Sequence, residues 1–348
     1  MSAAEREREY AVHAARKEER LRLLLDEREL AHLFRGMERC PIACGYRAHA
    51  VIRVEHTGAE AQLLGVDPLR GKVPLAESLW VLPEAAREQV RCIAGVLERT
   101  DSLPLITAFE LLLEHGSERT HLSLAVPRSV GATLEPLCRQ ILDETPELLG
   151  IAVPSQRLDL GEPYLRHRLR GTTVLAHHRA FFQSNLRLVP RLVEEIQSGF
   201  DAPGSIVDLY CGVGLHSILA ATPAAGIAGA DTNRWAIESA WRNAKLHGLA
   251  GARYHRLSAQ EFAVEHRFRS PAVVVFVNPS RGGCEPGVPE AVARWQPERI
   301  CLISCSLDSH LRDLRSFLRK GYRPLGVRSF DMFPFSPFVE SVSFLEPT

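Results

Sequence analysis

"SIVDLYCGVGLHSILAA", residues 205–221, predicts a strand, a glycine-containing turn and a helix in immediate succession. The apolar run ends at Asp208, the turn contains Gly212 and Gly214, and the helical pattern begins near His216. Glycine lets the backbone approach a ligand at the carboxyl end of a strand, but any tight turn of this kind needs glycine as well. The neighbouring segments must therefore show whether the turn binds a ligand.

The next predicted strand strengthens the case for a bound nucleoside. "AGIAGADTN" predicts a short strand that ends in Asp231, whose carboxylate can accept hydrogen bonds from ribose hydroxyls. A dinucleotide-binding turn would have a third glycine in the region that His216 and Ser217 occupy. S-Adenosylmethionine has a ribose but no pyrophosphate, so it fits these residues better than a dinucleotide does.

Two further predicted strands complete a mainly parallel sheet with helices between the strands. One ends in Asn278-Pro279 and the other ends just before Cys305. Because ligands of such sheets gather at the carboxyl ends of the strands, we expect Asp208, Asp231, Asn278 and Cys305 to converge on one crevice. The predicted fold class is α/β, with a Rossmann-like domain preceded by a smaller α/β domain and an N-terminal helix.

Cys305 allows two interpretations. A free cysteine is more often an inert, buried apolar side chain than a nucleophile. A cysteine that only fills the core is expected in the middle of a strand, as Cys301 is, whereas Cys305 lies beyond the end of the same predicted strand. This position favours a functional role for Cys305.

Changes of pattern divide the chain into three predicted parts. Residues 1–38 place leucines at helical spacing among acidic and basic side chains, and they predict an amphipathic helix with a solvated charged face. Mixed strand and helix patterns predict a central α/β domain at residues 39–165. The parallel-sheet domain, which would bind S-adenosylmethionine, follows at residues 166–348.

The composition excludes several broad classes of protein. The 42 Lys and Arg residues equal the 42 Asp and Glu residues, so no net charge draws the protein to nucleic acid and any such contact must be local. The start of the chain has no apolar signal segment, and no apolar run approaches the length of a membrane span. We expect a cytoplasmic, monomeric protein without membrane contact, whose eight cysteines are reduced thiols.

A series of motifs spans residues 161–346. In chain order they are "GEPYLRHRL", "FFQSN", "DLYCGVG", "GADTNRWAIESAWRNAKLHG", "VNPSRGG", "LISCS", "RDLRSFLRKGY" and "FDMFPFSPFVESVSFL". The series resembles the RNA uracil-C5 methyltransferase family, whose class I enzymes use S-adenosylmethionine to methylate uridine in ribosomal and transfer RNA. The first domain resembles this family chiefly at "CGYRAHAVIRVE". The resemblance implies an S-adenosylmethionine cofactor and an RNA partner.

The resemblance also implies roles for individual residues. The implied contacts to S-adenosylmethionine are Gln183, Tyr210, Asp231 and Asn278. Cys305 is the implied nucleophile, which adds to uracil C6 and raises the electron density at C5, and Glu340 is the implied base, which removes the C5 proton after methyl transfer. The target base must be turned out of its stack, against aromatic side chains such as Phe333 or Phe335, and both of these fit the core equally well.

Several motifs depart from the family pattern. "CSL" stands where the family often has "CNP", and "FSPFVE" stands where it often has "HTxHVE", so Phe335 and Phe338 replace histidines. Asn278-Pro279 in place of Asp-Pro-Pro-Arg resembles the branch that methylates large-subunit ribosomal RNA, which favours ribosomal RNA over transfer RNA. A catalytically altered or inactive RNA-binding descendant of the family stays open as an alternative.

Two other methyltransferase classes are alternatives. An RNA cytosine-C5 methyltransferase also has a cysteine after this strand, but it normally has a second one directly after the proline of the earlier motif, where this chain has Ser280. Enzymes that methylate amino groups use an Asn-Pro-Pro-aromatic motif, and Arg281 stands at the aromatic position. Both departures favour uracil C5 as the target.

Many members of the resembled family bind a four-iron cluster through four cysteines near the first domain. This chain has only Cys40 and Cys44 close together, and Arg47 follows where a third ligand would be expected. Cys92 and Cys138 could complete the set only through folding. We therefore expect no iron–sulfur cluster and no metal ligands.

A local excess of arginine supports RNA contact. Residues 157–191 contain seven arginines but only Asp159 and Glu162 as acidic side chains. Arginine can bind phosphates and stack on bases, although a solvated basic face is the other interpretation.

Overall fold

The computed structural model describes residues 2–57, 60–131, 133–201, 203–266, 268 and 273–348. The chain divides into two compact units. Unit 1 comprises Met1–Arg8, Ile42–Thr173 and Gln183–Leu186, and unit 2 comprises Glu9–Pro41, Val174–Phe182 and Arg187–Thr348. Within the described residues, no helix combines the length and the apolar character that crossing a membrane requires.

The helices and strands alternate along most of the chain. The α-helices of the described residues are α1 (Ala3–Asp26), α2 (Leu75–Ser78), α3 (Glu84–Arg99), α4 (Glu135–Glu144), α5 (Val189–Ser198), α6 (Leu215–Ala220), α7 (Arg234–Leu246), α8 (Ala259–Glu265), α9 (Val288–Arg294) and α10 (Leu307–Leu318). The strands are β1 (Phe34–Glu38), β2 (His49–Thr57), β3 (Glu60–Asp67), β4 (Gly71–Pro74), β5 (Ala108–Leu113), β6 (Thr120–Ala125), β7 (Leu148–Val153), β8 (Leu158–Gly161), β9 (Tyr164–Leu169), β10 (Thr172–His177), β11 (Ser205–Leu209), β12 (Gly226–Ala230), β13 (Ala252–His255), β14 (Val273–Val277), β15 (Arg299–Ser304), β16 (Tyr322–Pro324), β17 (Val327–Phe330) and β18 (Glu340–Pro347).

Unit 1 contains a seven-stranded sheet in the order β4-β3-β2-β5-β6-β7-β8. Neighbouring strands are antiparallel, except that β6 and β7 are parallel. In α3 the residues Val90, Ile93 and Leu97 are fully buried and recur at the spacing of one helix face. The mixed strand and helix patterns of the central region thus form a small α/β unit.

Unit 2 contains a nine-stranded sheet in the order β1-β17-β18-β15-β14-β11-β12-β13, with β16 also paired to β18. Strands β11 to β15 are parallel to their neighbours within that group, and β18 is antiparallel to β15, β16 and β17. Every residue of β14 is buried, as its run of branched side chains predicts for a central parallel strand. The predicted Rossmann-like α/β fold is confirmed.

The N-terminal helix is shorter than the leucine pattern predicts. α1 ends at Asp26, and Glu29 has a φ of 61°, a left-handed conformation that stops the helix. Residues 34–38, which the prediction assigned to the helix, instead form β1 beside β17. The strand includes Gly36, whose φ of 92° does not fit a helix.

Candidate functional site

Three of the predicted cofactor contacts lie at one edge of the unit 2 sheet. Tyr210, Asp231 and Asn278 directly follow β11, β12 and β14, respectively. Leu209, the last residue of β11, is in register with Ala230 on one side and with Val277 on the other. β12 and β13 lie on one side of β11, whereas β14 and β15 lie on the other. Ligands of such sheets bind where the strand order reverses in this way, here between β11 and β14.

Three residues of the turn after β11 have positive φ angles. Tyr210, Gly212 and Gly214 have φ values of 60°, 53° and 79°. A Cβ atom added at Gly212 would meet no atom within 4 Å, whereas one at Gly214 would come within 2.7 Å of Ile218. Gly212 therefore borders open space, and Gly214 is required for close packing of the turn against α6.

The Asp231 carboxylate connects the turn after β11 to the turn after β12. Its Oδ2 accepts a hydrogen bond from the Gly212 amide at 3.0 Å, and its Oδ1 accepts one from the Asn233 amide at 2.8 Å. Asn233 in turn caps α7, because its side chain accepts from the amides of Trp235 and Ala236. Each carboxylate oxygen keeps a second lone pair, so the half-exposed Asp231 can still accept hydrogen bonds from a ribose.

A buried histidine orients the amide of Asn278. The Asn278 Nδ2 lies 3.2 Å from Nε2 of His216, the second residue of α6. Burial lowers the pKa of His216 to about 4, so its ring is neutral and can accept this hydrogen bond. The sequence interpretation used His216 only as evidence against a third glycine and did not detect this role.

Asp208 does not lie on the open edge, contrary to the prediction. It is the fourth residue of β11 and is 0% exposed. Burial raises its pKa to about 7. The prediction was wrong because the apolar strand continues for one more residue, to Leu209, and leaves Asp208 inside the sheet.

Cys305 and Glu340 occupy facing ends of adjacent antiparallel strands. Ser304, the last residue of β15, pairs with Ser341, so the next positions along the two strands are Cys305 and Glu340. Cys305 is half-buried, whereas Glu340 is only 3% exposed. Burial raises the pKa of Glu340 from its ordinary value of 4.5 to about 8.

A buried histidine of α10 connects the end of β15 to β18. His310 of α10 lies 3.3 Å from the Ser304 hydroxyl and 2.8 Å from the Ser343 hydroxyl. Burial lowers the pKa of His310 to about 3, so the ring stays neutral. This bridge ties β15 to β18 next to Cys305 and Glu340.

Arg281 is a site residue that the sequence interpretation missed. Its guanidinium carbon lies 3.9 Å from the centroid of the Phe338 ring. It also lies close enough to Cys305 to act on the pKa of that thiol. Burial and the nearby Glu340 raise the pKa of that thiol, whereas Arg281 lowers it, and the net shift is upward. Arg281 thus favours the thiolate form at a position where burial opposes it.

Arg281→Gln should slow alkylation of Cys305, because the thiol loses the cation that favours its ionised form. We expect a reduction of roughly three- to tenfold in the rate with iodoacetamide near pH 8. Mass spectrometry of the Cys305 peptide separates this thiol from the others. Arg294→Gln, on the exposed face of α9, is the matched control. Equal rates for Arg281→Gln and wild type at every pH would contradict the contact.

The raised pKa of Glu340 predicts a pH-dependent stability. The Glu340 carboxyl keeps its proton up to about pH 8 in the folded protein but releases it near pH 4.5 in the unfolded chain. The contribution of the neutral carboxyl group to stability is therefore complete below pH 4.5 and is lost as pH rises through about 8. Glu340→Gln should therefore be more stable than wild type at pH 9, by about 2 to 4 kcal/mol, and nearly equal to it at pH 5. Urea unfolding at both pH values measures this, and a pH-independent difference would contradict it.

The remaining predicted residues lie elsewhere. Gln183 is a buried residue of unit 1, and its contact with the cofactor stays a prediction. Phe335 is 5% exposed, and its ring packs against Tyr10 and His13 of α1, so it belongs to the core of unit 2 and not to a base-binding surface. Phe333 is half-exposed.

Cys40 and Cys44 belong to different units. In the part of the chain that the structure describes, no three His, Cys, Asp or Glu side chains form a group that could hold a metal ion. Cys92 lies beside α4, where its thiol bonds the Glu144 carbonyl at 3.3 Å. The absence of a cluster stays a prediction.

Residues 147–348 match the model of the tRNA (uracil-5-)-methyltransferase family. An uncharacterized RNA methyltransferase of Caldanaerobacter subterraneus subsp. tengcongensis is 33% identical over 199 residues, which are 56% of this chain and 44% of that protein. Another, of Halalkalibacterium halodurans, is 24% identical over 327 residues, which are 91% of this chain and 66% of that protein. The chain spans about half the length of the curated relatives that it matches.

One solved structure is similar over nearly the whole chain. It is the crystal structure of Pyrococcus abyssi tRNA (uracil-54, C5)-methyltransferase in complex with S-adenosyl-L-homocysteine. The TM-score is 0.74 at 20% sequence identity, over 97% of this chain and 83% of that chain. At this identity the similarity shows a common fold.

Proposed function

We propose that this chain, which belongs to the tRNA (uracil-5-)-methyltransferase family, transfers a methyl group from S-adenosylmethionine to C5 of a uridine in RNA. The observation that carries the proposal is the position of two side chains at facing ends of β15 and β18. One is the half-buried thiol of Cys305, and the other is the buried carboxyl group of Glu340. Methylation at uracil C5 requires these two groups, a nucleophile for C6 and a base for the C5 proton.

The residues at the sheet edge fit a nucleoside cofactor. Asp231 offers carboxylate oxygens for ribose hydroxyls, Asn278 offers an oriented amide, and Gly212 borders open space beside them. Tyr210 adds a ring at the start of the same turn. S-Adenosylmethionine, when bound here, supplies the methyl group as an electrophile.

The reaction needs a bond at C6 before C5 becomes nucleophilic enough to accept a methyl group. The Cys305 thiolate adds to C6 and shifts the electron pair of the C5–C6 double bond onto C5 as an enolate. C5 then takes the methyl group, and the sulfur of the methyl donor leaves as a neutral thioether. Glu340 takes the proton from C5, the double bond re-forms, and the thiolate leaves C6. The raised pKa of Glu340 makes its carboxylate a stronger base than an ordinary glutamate.

Arginines on both units support a phosphate-rich partner. Arg157, Arg166, Arg168 and Arg170 are exposed on unit 1, and Arg187 and Arg191 are exposed on unit 2. The first four lie on or beside β8 and β9, where Arg166 and Arg168 share the exposed face of β9. The Asn278-Pro279 motif favours ribosomal RNA as the substrate, with transfer RNA as the alternative.

An RNA cytosine-C5 methyltransferase is less well supported. Such an enzyme needs a second thiol near the target base, and the position after Pro279 holds an exposed serine, Ser280. An inactive RNA-binding descendant would have no need of a buried Glu340 with a raised pKa next to Cys305, because an unpaired buried carboxyl group destabilises the fold.

Asp231→Ala should weaken binding of S-adenosylmethionine, since the variant loses the acceptor for ribose hydroxyls and the bond that holds the Gly212 amide. We expect a loss of about 1 to 3 kcal/mol in binding free energy, measured by calorimetry. Glu238→Ala, in α7, is the control, because this side chain is 44% exposed and pairs with Arg242. Unchanged affinity in Asp231→Ala would remove this residue from the site.

Nucleoside mass spectrometry tests the proposed function. Ribosomal and transfer RNA from cells with and without the gene are compared, and cells carrying the Cys305→Ala gene serve as a third sample. We expect a loss of 5-methyluridine at one position in one RNA class, in both the deleted and the variant cells. A loss of 5-methylcytidine instead, or no change in any methylated nucleoside, would overturn the proposal.

A further inference from the structure

A buried lysine on the N-terminal helix binds the segment that precedes Glu340. Lys17 is 8% exposed, and its Nζ lies 2.5 Å from Oδ1 of Asp331, which is 0% exposed. The same ammonium group donates to the carbonyls of Phe333 at 3.0 Å and of Phe338 at 3.2 Å. One cation therefore contacts both ends of the segment between β17 and β18.

The second oxygen of Asp331 is also bound by α1. The Tyr10 hydroxyl donates to Asp331 Oδ2 at 2.8 Å and accepts from the Cys40 amide at 2.8 Å. Asp331 is thus held by Tyr10 and Lys17, which lie about two helical turns apart on one face of α1. A buried carboxylate with this many partners fixes the start of the segment.

The middle of the segment has a strained backbone that α1 also supports. Phe335 has a φ of 63°, which a large side chain adopts only when its surroundings enforce it. Its ring centroid lies 5.5 Å from that of Tyr10 and 5.5 Å from that of His13. α1 therefore contacts the segment 331–338 at its start, its middle and its end.

The contacts of α1 hold the segment that leads directly into Glu340, the first residue of β18. Phe338, whose carbonyl Lys17 binds, is two positions before Glu340 in the chain. We propose that Lys17 is a positioning residue, which holds the segment 331–338 in the conformation that aims Glu340 at the target base. This inference rests on the proposed function. It gives the N-terminal helix a role in the reaction, since Tyr10, His13 and Lys17 all project from α1.

The alternative is that Lys17 only stabilises the fold. A general loss of stability would slow both chemical steps together. A loss of positioning would slow proton removal by Glu340 more than attack by Cys305. Cys305 follows β15, to which Lys17 makes no hydrogen bond in the described residues. The steps can be separated with RNA substrates, since 5-fluorouridine reports attack and methyl transfer, and uridine reports proton removal as well.

The test compares Lys17→Met with Arg16→Met. The second variant is the control, because it removes an exposed cation from the preceding position of α1. Hydrogen exchange of residues 333–340 in the free protein should be faster by about tenfold in Lys17→Met and unchanged in Arg16→Met. With uridine RNA, Lys17→Met should release methylated product at least about tenfold more slowly, while 5-fluorouridine RNA is trapped within about threefold of the wild-type rate. Tyr10→Phe, which keeps the ring and loses the hydrogen bonds to Asp331 and from the Cys40 amide, should show the same pattern with smaller effects.

The outcomes separate this inference from the proposed function. Unchanged exchange at residues 333–340, or equal slowing of both RNA reactions, in Lys17→Met would overturn the positioning role. If Lys17→Met does not fold, Tyr10→Phe decides by the same two measurements. Wild-type protein that neither traps 5-fluorouridine RNA nor makes 5-methyluridine would instead overturn the proposed function, and hydrogen exchange would still report on the contact itself.

Discussion

Cys305→Ala should abolish methylation of RNA while leaving the fold and the affinity for S-adenosylmethionine nearly unchanged. Without the thiolate, C5 of uracil is too weak a nucleophile, and we expect turnover to fall by roughly a thousandfold or more. The side chain is half-buried and small, so its truncation should cost no more than about 1 kcal/mol of stability. Methyl incorporation into RNA, calorimetry with S-adenosylmethionine and urea unfolding measure the three quantities.

Cys301→Ala is the matched control for this variant. Cys301 lies four positions earlier, inside β15, and is 0% exposed. Its truncation should lower stability by about 1 kcal/mol and leave turnover close to wild type. If Cys305→Ala methylates RNA at a rate near wild type, Cys305 is a core residue and not the nucleophile.

Glu340→Gln should stop the reaction after the methyl group has been transferred. The variant keeps Cys305, but its amide cannot take the proton from C5, so turnover should fall by about a hundredfold or more. The methylated RNA should therefore remain bonded to the protein and migrate with it in denaturing electrophoresis. Wild type should show this band only with RNA that carries 5-fluorouridine, because fluorine at C5 cannot leave as a proton does.

Glu346→Gln tests whether the band is specific to the proposed base. Glu346 lies near the other end of β18 and pairs with Arg299 and Arg323. This variant should turn over normally and accumulate no band with uridine RNA. A Glu340→Gln protein that turns over at the wild-type rate, or that forms no band although it binds RNA and cofactor, would contradict the assignment of the base.

The edge of the sheet could be predicted from the sequence because each residue there follows a short apolar run. Asp231, Asn278 and Cys305 come directly after β12, β14 and β15, as the apolar pattern predicts, whereas Tyr210 was implied only by the family resemblance. Asp208 shows the limit, since a polar residue within an apolar strand cannot be distinguished by pattern from one that ends it. A one-residue difference in the strand end decides between the crevice and the core.

The contacts of α1 could not be predicted from local patterns. Lys17 and Asp331 are separated by 314 positions, and the sequence interpretation assigned the charged residues of this helix to a solvated face without singling out Lys17. Lys17 is buried on the same helix face as Leu21 and Leu25, and this burial is visible only when α1 is packed against the segment that contains Asp331. Phe335 was a candidate for stacking on the base or for the core, and its ring packs against Tyr10 and His13.

Mapping of the covalent adduct tests the central claim most directly. Wild-type protein is incubated with S-adenosylmethionine and substrate RNA that contains 5-fluorouridine, then digested with nuclease and protease and analysed by mass spectrometry. The account predicts a methylated 5-fluorouridine nucleotide bonded to the peptide that contains Cys305. An adduct on any other of the eight cysteines, or methylation of the RNA without any adduct, would contradict it.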